Sequence, residues 1–294
     1  MQSDTNEKLP GNDRKAGTGA NPLPMKHILS YTRRALDDYG MIRPNERIAV
    51  GVSAGKDSLT LLYVLARLRR FYPVPFELSA ITVDMGFGGT AGDYSGIAAL
   101  CQSLDVPYRV VPSDIAEIVF NIRKEPNPCS LCAKLRRGAL HNAARADGCT
   151  AVALGHHFDD AVETFMLNLF FEGRIGCFSP VTELSRVGIR VIRPLIYVPE
   201  KEIRAFAATQ ALPVVASGCP ANQHTERENM KQLLHTLERE NRGLRHRIFG
   251  AMQRGRVDGF HLPGQSGSHF SEPEAGCDAC GTAGIETECE VKPR

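Results

Sequence analysis

The sequence predicts an α/β fold, a doubly wound parallel sheet with helices on both faces. Short apolar runs typical of buried strands alternate with longer stretches of helical periodicity through the first half of the chain. The strand-like runs are 47–52, 78–83, 107–111 and 150–155, and the helical patterns between them are 57–71, 93–104, 113–122 and 130–147. Alternation of this kind produces parallel strands, and ligands of such sheets bind at the carboxyl ends of the strands.

The second half of the chain continues with one strand signal, near 189–193, and is otherwise mainly helical. The further helical patterns are 159–171, 199–209, 224–240 and 243–254. Composition divides the 294 residues into a disordered extension (1–24), a body (25–254) and an acidic, cysteine-containing tail (255–294). We therefore expect one α/β domain with C-terminal helices.

The extension is rich in Asn, Gly, Lys and Asp and has no apolar core, so it does not resemble a signal peptide. No apolar run approaches the roughly 18 residues of a membrane span. These features predict a cytoplasmic protein without membrane contact. Nine cysteines in a cytoplasmic chain favour metal binding or catalysis over disulfides.

The segment 50–58, Val-Gly-Val-Ser-Ala-Gly-Lys-Asp-Ser, joins the first predicted strand to the first predicted helix. A strand, a small-residue turn and a helix N-terminus bring free backbone N–H groups and the positive end of the helix dipole to one point. Lys56 adds a mobile cation, and Ser53 and Ser58 add hydroxyls. The segment is therefore predicted to hold the phosphates of a nucleotide.

The spacing excludes the P-loop of ATPases, because only three residues separate the two glycines and an aspartate follows the lysine. Ser53-Ala54-Gly55-Lys56-Asp57-Ser58 instead resembles the PP-loop of the ATP pyrophosphatases, which have an adenine nucleotide α-hydrolase-like fold. Those enzymes cleave ATP between the α- and β-phosphates and adenylylate a carbonyl oxygen. The resemblance implies that these six residues bind ATP and that Asp57 is catalytic. Ala54 replaces the usual glycine, although alanine resists positive φ and crowds a close phosphate.

The second signal is a Cys-x-x-Cys pair, Cys129 and Cys132, at the start of a predicted helix, where the helix dipole favours thiolates. The pair alone leaves three interpretations: a redox disulfide, a zinc site, or an iron–sulfur cluster with a remote cysteine. Zinc requires four ligands. Cys219, in a loop bounded by glycine and proline, is the candidate remote ligand.

Three motifs occur in a fixed order: Cys-Ser-Leu-Cys-Ala-Lys-Leu-Arg-Arg-Gly at 129–138, Leu-Gly-His-His-Phe-Asp-Asp-Ala-Val-Glu-Thr at 154–164, and Arg-Pro-Leu-Ile-Tyr-x-x-Glu-Lys at 193–201. Together they resemble the tRNA 2-thiocytidine synthetase (TtcA) family, with a likeness from about residue 28 to 253. The resemblance implies a [4Fe–4S] cluster held by Cys129, Cys132 and Cys219. Its fourth iron would carry the sulfur that is transferred.

The resemblance also implies roles at the strand ends. An aspartate that is catalytic in related tRNA thiolases corresponds to Asp159, while Asp160 and Gly155 fall in the nucleotide site. A carboxylate beside the phosphates can hold Mg²⁺, although one in the first turn of a helix can also simply cap it. Arg136, one turn beyond the cysteine pair, is expected to meet the activated intermediate. Asp84 is expected to line the adenosine pocket.

The implied activity is ATP-dependent thiolation of tRNA at cytidine 32 of the anticodon loop. The cytidine O2 attacks the α-phosphate of ATP·Mg²⁺, pyrophosphate leaves, and sulfur replaces AMP to give 2-thiocytidine. Single-stranded loop bases can be splayed into a pocket for such chemistry. The expected partners are tRNA, contacted by the basic helices of 224–254, and a sulfur donor such as a cysteine desulfurase or sulfide. A homodimer is one assembly that we consider.

Two alternatives stay open. One is a PP-loop tRNA 2-thiouridine synthetase, which uses the same chemistry on another base. A small zinc site in the tail, built from Cys277, Cys280, Cys289 and His269, would favour it. The other is a non-catalytic or redox-sensing nucleotide-binding protein in which Ala54 has blunted the PP-loop.

Overall fold

The computed structural model describes residues 22–87, 92–124, 128–215, 219 and 226–265, with only the backbone for 22–24. The strands are β1 (Glu46–Gly51), β2 (Phe76–Asp84), β3 (Tyr108–Pro112), β4 (Ala151–Ala153), β5 (Val181–Leu184) and β6 (Ile189–Ile192). The α-helices are α1 (Pro22–Asp38), α2 (Lys56–Leu68), α3 (Ser95–Ser103), α4 (Pro128–Ala146), α5 (Phe158–Phe171), α6 (Glu200–Thr209), α7 (Glu226–Glu240) and α8 (Leu244–Arg254).

The strands form one sheet in the order β3-β2-β1-β4-β6-β5. All neighbours pair in parallel except β5, which lies antiparallel at the edge beside β6. From β1 the chain winds outward through β2 to β3 and then returns to the other side of β1 as β4. The winding therefore reverses between β1 and β4, and their carboxyl ends border the crevice where ligands bind in such sheets. The doubly wound fold predicted by the sequence is confirmed.

Helices cover both faces of the sheet because alternate residues of a strand point to opposite sides. Ile48 and Val50 of β1 belong to the larger hydrophobic cluster, which also includes residues of α1, α2, α3, α5, α6, α7 and α8. Ala49 belongs to a second cluster with α4 and a π-helical segment, Glu117–Arg123. Burial on both sides explains why the central strands appear in the sequence as continuous apolar runs.

Sequence periodicity does not predict two elements, α1 and β5. Strand β5 has four residues of which none is fully buried, so its apolar signal is weak. The predicted helix at 113–122 is largely the π-helical segment. No helix among the described residues has both the length and the apolarity needed to cross a bilayer.

The body of the fold continues beyond α8. A short 3-10 turn, Val257–Gly259, leads to Phe260, which is fully buried against the rings of Tyr39 and Phe249. The predicted extension up to residue 21 and the tail from residue 266 lie outside the described residues. The proposed zinc ligands of the tail, Cys277, Cys280, Cys289 and His269, are therefore also outside them.

Candidate functional site

Two loops meet at the reversal of the sheet. One follows β1 and enters α2, and the other, 154–157, follows β4 and enters α5. Gly155 is the point of closest approach: a Cβ at this position would lie 3.0 Å from both the backbone carbon of Asp57 and the backbone nitrogen of Ser58. Glycine thus allows the second loop to lie against the start of α2.

The PP-loop curls around the hydroxyl of Ser58. This Oγ accepts the backbone N–H of Ser53 at 3.0 Å and donates to the carbonyl oxygen of Gly55 at 3.0 Å, with the Ser53 Oγ at 3.2 Å. Gly55 occupies the N-cap position of α2, where no side chain caps the helix. The first N–H groups of α2 thus have no side-chain acceptor, the condition under which a helix N-terminus binds an anion.

Ala54 adopts the left-handed conformation, with φ +62°. Its side chain is buried, and its carbonyl oxygen accepts the backbone N–H of Val215 at 3.0 Å. A left-handed conformation at this position is the physical reason to expect glycine there. The alanine pays a conformational cost at this φ, but its methyl side chain is the smallest that an L-residue can place there.

Lys56 lies between two carboxylates. Its Nζ is 2.9 Å from Asp57 Oδ1 and 3.1 Å from Glu200 Oε1. Burial by itself lowers the pKa of this lysine, but hydrogen bonds and charge attraction from Asp57 and Glu200 outweigh it and raise the pKa. The cation beside the helix N-terminus is therefore fully charged at neutral pH.

Glu200, the first residue of α6, joins this lysine to α7. Its Oε2 is 2.8 Å from the Nζ of Lys231. Burial opposes ionisation of Glu200, yet its hydrogen bonds from Lys231 and Lys56 dominate and lower its pKa to about 2. A chain of alternating charges therefore runs from the PP-loop through Glu200 to the C-terminal helices.

The start of α5 is held by a capping box. The His157 ring accepts the backbone N–H of Asp160 through Nδ1, and Asp160 Oδ2 accepts the backbone N–H of His157 at 3.0 Å. With Nδ1 accepting, the opposite ring nitrogen Nε2 faces Asp57 Oδ1 at 3.7 Å and Asp160 Oδ2 at 3.4 Å. Arg227 of α7 binds the other Asp160 oxygen at 3.2 Å. The carboxylates of Asp57 and Asp160 thus share one neighbourhood around His157.

Both carboxylate oxygens of Asp159 are engaged within the protein. One accepts the backbone N–H of Glu200 at 2.6 Å, and the other accepts a hydrogen bond from the guanidinium of Arg245 in α8. Asp159 is buried, so these bonds replace the hydrogen bonds that its carboxylate would make to water. In this arrangement Asp159 fixes α6 and α8 against α5.

One turn further along α5, Glu163 is almost fully buried, with Arg245 at 4.0 Å. Burial, with a smaller contribution from the charge of Asp160, raises the pKa of Glu163 to about 7. Its carboxyl group therefore changes protonation state close to neutral pH.

Asp84 ends β2, and its carboxylate organises the loop that follows. It accepts the backbone N–H groups of Gly86 at 3.1 Å and Gly92 at 3.0 Å, and the hydroxyl of Tyr94 at 3.2 Å. The residue is buried. Its contacts shape the wall of the crevice next to β1, which is where the sequence expects an adenosine pocket.

The first turn of α4 carries Cys129, which is exposed, and Cys132, which is half-buried. Burial raises the pKa of the Cys132 thiol, the charge of Arg136 lowers it, and the charges of Cys219 and Cys129 raise it. All three cysteines therefore lie close enough to interact electrostatically, with Arg136 beside them. Because α4 runs back along the sheet to β4, its N-terminus lies at the same edge as the PP-loop.

The three cysteines are a donor set that can hold an iron–sulfur cluster. Among the described residues, no three His, Cys, Asp or Glu side chains are arranged to hold one metal ion together. A [4Fe–4S] cluster binds each cysteine through a different iron, so its ligands are spaced more widely than those of zinc. Two cysteines in the first turn of α4, with a third cysteine and an arginine near them, fit such a cluster.

The sequence therefore placed the PP-loop, Gly155, Asp159 and Asp160 in one region, and the structure brings them together. Three charged residues contact them and a fourth, Lys231, contacts Glu200; none of the four was singled out for this region. They are Glu200, Arg227, Lys231 and Arg245. Only Glu200 had a signal, because it lies in the Arg-Pro-Leu-Ile-Tyr-x-x-Glu-Lys motif; the others are charges on amphipathic helices.

A family model and full-length relatives both match most of this chain. Residues 26–248 match the family model of the PP-loop domain. The tRNA-cytidine(32) 2-sulfurtransferase of Geobacter sulfurreducens is 41% identical over 230 residues, covering 77% of this chain and 89% of the relative. The enzyme of that name from Pelobacter propionicus is 42% identical over 222 residues, 74% of this chain and 82% of the relative.

A solved structure shows the same architecture. The U34-tRNA thiolase NcsA from Methanococcus maripaludis, determined with its [4Fe–4S] cluster, superposes with a TM-score of 0.66 and 26% sequence identity. The match covers 79% of this chain and 78% of NcsA.

Proposed function

Because the chain belongs to the tRNA-cytidine(32) 2-sulfurtransferase family of PP-loop proteins, we propose that it thiolates cytidine 32 of tRNA at the expense of ATP. The observation that carries this proposal is the meeting of two sites at one sheet edge. A phosphate-binding loop and a group of three cysteines both open at the carboxyl ends of the strands. Adenylylation and sulfur delivery can then act on the same base.

The ATP phosphates bind the N–H groups at the start of α2 and the ammonium of Lys56. The loop around Ser58 is already formed by internal hydrogen bonds, so binding needs little ordering. The cytidine O2 attacks the α-phosphate, and the bond to pyrophosphate breaks. Lys56 stabilises the charge that develops on the leaving pyrophosphate.

Mg²⁺ is expected between the phosphates and the neighbouring carboxylates of Asp57 and Asp160. Magnesium is usually held by one or two carboxylates together with substrate phosphates and water. His157 Nε2 lies between them, 3.7 Å from Asp57 Oδ1 and 3.4 Å from Asp160 Oδ2. Asp159, by contrast, is buried and bonded to Glu200 and Arg245. It is therefore proposed to position Glu200, and through it Lys56, whereas Asp57 and Asp160 are half-buried.

Sulfide attacks C2 of the O2-adenylylated base, the C2–O2 bond breaks, and AMP leaves with O2, which gives 2-thiocytidine. A [4Fe–4S] cluster on Cys129, Cys132 and Cys219 would supply an iron with an open coordination position for that sulfur. Arg136, whose charge acts on Cys132, is proposed to attract the negatively charged phosphate of the activated base. A cysteine desulfurase or free sulfide is the expected source of sulfur.

The test is anaerobic purification followed by visible spectroscopy, iron and sulfide counts, and thiolation of total tRNA with ATP. The wild type, Cys219→Ala and the matched control Cys149→Ala are compared; Cys149 is buried in the hydrophobic core. A broad absorption band at ~400 nm and about four irons per chain, both lost only in Cys219→Ala, support the cluster. A colourless zinc protein would contradict it.

Nucleoside analysis of the product tests which base is thiolated, cytidine or uridine. ATP-dependent 2-thiocytidine formation that disappears in Lys56→Ala supports the proposal. Formation of 2-thiouridine instead would favour the activity named for NcsA, and no thiolation by cluster-containing wild type would contradict the proposed function.

A further inference from the structure

We propose that the groove between α6, α7 and α8 binds the sugar–phosphate backbone of the RNA substrate directly beside the ATP site. This inference rests on the proposed function and assigns a surface to its RNA partner. The groove has a volume of about 1130 Å³ and is bordered at one end by Phe158 and Asp159 at the start of α5. That volume is slightly above the usual range for pockets that enclose a small molecule.

Basic side chains dominate the exposed lining of the groove. They come from three elements that are close together only in the folded chain. The exposed basic residues are Lys201, Arg204, His235, Arg239, Arg242 and His246. A concave surface that concentrates positive charge attracts a polyanion.

Two of the three acidic residues that line the groove, Asp159 and Glu200, are already paired with cations. Glu200 binds Lys56, Lys231 and the exposed Arg204, and Asp159 binds Arg245. Glu238 accepts the backbone N–H groups of Gly243 at 2.6 Å and of Arg245 at 3.0 Å. Each carboxylate thus serves to hold the walls of the groove.

Lys201, Arg239 and Arg242, in contrast, make no ion pair with any other described residue. All three are exposed. Arg239 lies in the last turn of α7, and Arg242 follows three residues later in the connection to α8. Such cations gain more from an incoming phosphate than cations that must first leave a carboxylate.

The position of the groove favours RNA over a second nucleotide. The α2 N-terminus already provides a site for the phosphates of ATP, and Glu200 forms a common wall between that site and the groove by binding Lys56 on one side and Lys231 on the other. A backbone bound in the groove therefore lies next to the loop where a base is adenylylated. Contacts with several phosphates fix the register of an RNA without reading its sequence.

The experiment measures the affinity of the cluster-containing full-length protein for total tRNA over a range of salt concentrations. The test variant is Arg239→Ala with Arg242→Ala. The matched control is Arg70→Ala with Arg145→Ala, which removes the same charge. Both control arginines are exposed, and they lie at or just after the C-terminal ends of α4 and α2, at the opposite edge of the sheet. Arg239→Lys with Arg242→Lys retains the charge, and thermal unfolding checks that every variant is folded.

We expect the groove variant to lower the slope of log affinity against log salt by about two, and to weaken tRNA binding on the order of 10- to 100-fold at roughly 0.1 M salt. The control pair keeps the wild-type slope, and the lysine pair keeps most of it. Equal slopes in the groove variant and the wild type overturn this inference, while continued thiolation by the wild type leaves the proposed function intact.

An acidic protein is the competing occupant of a basic groove. If the groove variant binds tRNA normally but loses sulfur supply from a cysteine desulfurase and not from free sulfide, the groove binds the donor protein and the RNA assignment is wrong. If the wild type neither binds nor thiolates tRNA, both proposals fail together.

Discussion

Replacing Ala54 by glycine tests whether the alanine weakens the PP-loop. Glycine adopts φ +62° without strain, which would stabilise the folded protein by about 1–2 kcal/mol relative to alanine. Against this, the unfolded chain gains backbone entropy worth about 0.4–1 kcal/mol, and loss of the buried methyl group costs about 0.8 kcal/mol. The contributions nearly cancel, so we expect Ala54→Gly to change the free energy of unfolding by less than about 1 kcal/mol.

The same reasoning predicts little change in activity, because the loop already has the backbone conformation that glycine would adopt. Urea unfolding measures the free energy of unfolding, and the KM for ATP in tRNA thiolation reports how well the loop binds ATP. Ala54→Val is the contrasting variant: a branched side chain at positive φ in a buried position should destabilise by at least about 2 kcal/mol. A stabilisation above about 2 kcal/mol in Ala54→Gly, or a more than tenfold fall in its KM, would refute this reasoning and show that Ala54 blunts the loop.

Three further predictions concern the contacts around α5. Gly155→Ala should raise the KM for ATP and cost about 1–3 kcal/mol, since its Cβ would lie 3.0 Å from the backbone of Asp57; unchanged ATP kinetics would contradict the close approach. Arg245→Ala should lower the free energy of unfolding in urea by about 3 kcal/mol, because it leaves the buried carboxylate of Asp159 without its cation. The exposed Arg247→Ala on the same helix should cost under about 1 kcal/mol, and equal losses would argue against the Arg245–Asp159 ion pair. Glu163 has a folded pKa of about 7, above its ordinary value of 4.5, so its contribution to stability is greatest below pH 4.5 and is lost as the pH rises through 7. Glu163→Gln should therefore be as stable as the wild type near pH 4.5 and more stable near pH 8, by an amount on the order of 3 kcal/mol. Parallel pH profiles of the two proteins would be inconsistent with a raised pKa.

Local sequence signals predicted the fold well where one element carries its own pattern. The alternation of buried strands and amphipathic helices gave the doubly wound sheet, and the small-residue segment at 50–58 located the loop at a strand end. Strand β5 was missed because three half-buried residues and one exposed residue at an edge resemble a loop. Helix α1 was missed because its first residues lie in a segment whose composition suggests disorder.

The polar contacts of the site could not be predicted in the same way. Arg245 and Asp159 are 86 residues apart, and Glu200 and Asp159 are 41 apart. Each of these residues alone resembles a solvated charge on a helix surface. Only the packing of α6, α7 and α8 on α5 shows which charges meet and which stay exposed to solvent.

The distribution of these charges indicates how two polyanions can bind a chain whose net charge is only +2. At the PP-loop, Lys56 already has carboxylate partners, so ATP binds there by sharing or displacing an internal partner, and the helix N-terminus supplies the additional attraction. In the groove, Arg239 and Arg242 have no such partner among the described residues, so a phosphate gains the full interaction. ATP binding should therefore depend weakly on salt and RNA binding strongly, although Glu200 links both surfaces. The difference between the two salt dependences is a property of this ion-pair chain and does not follow from the overall composition.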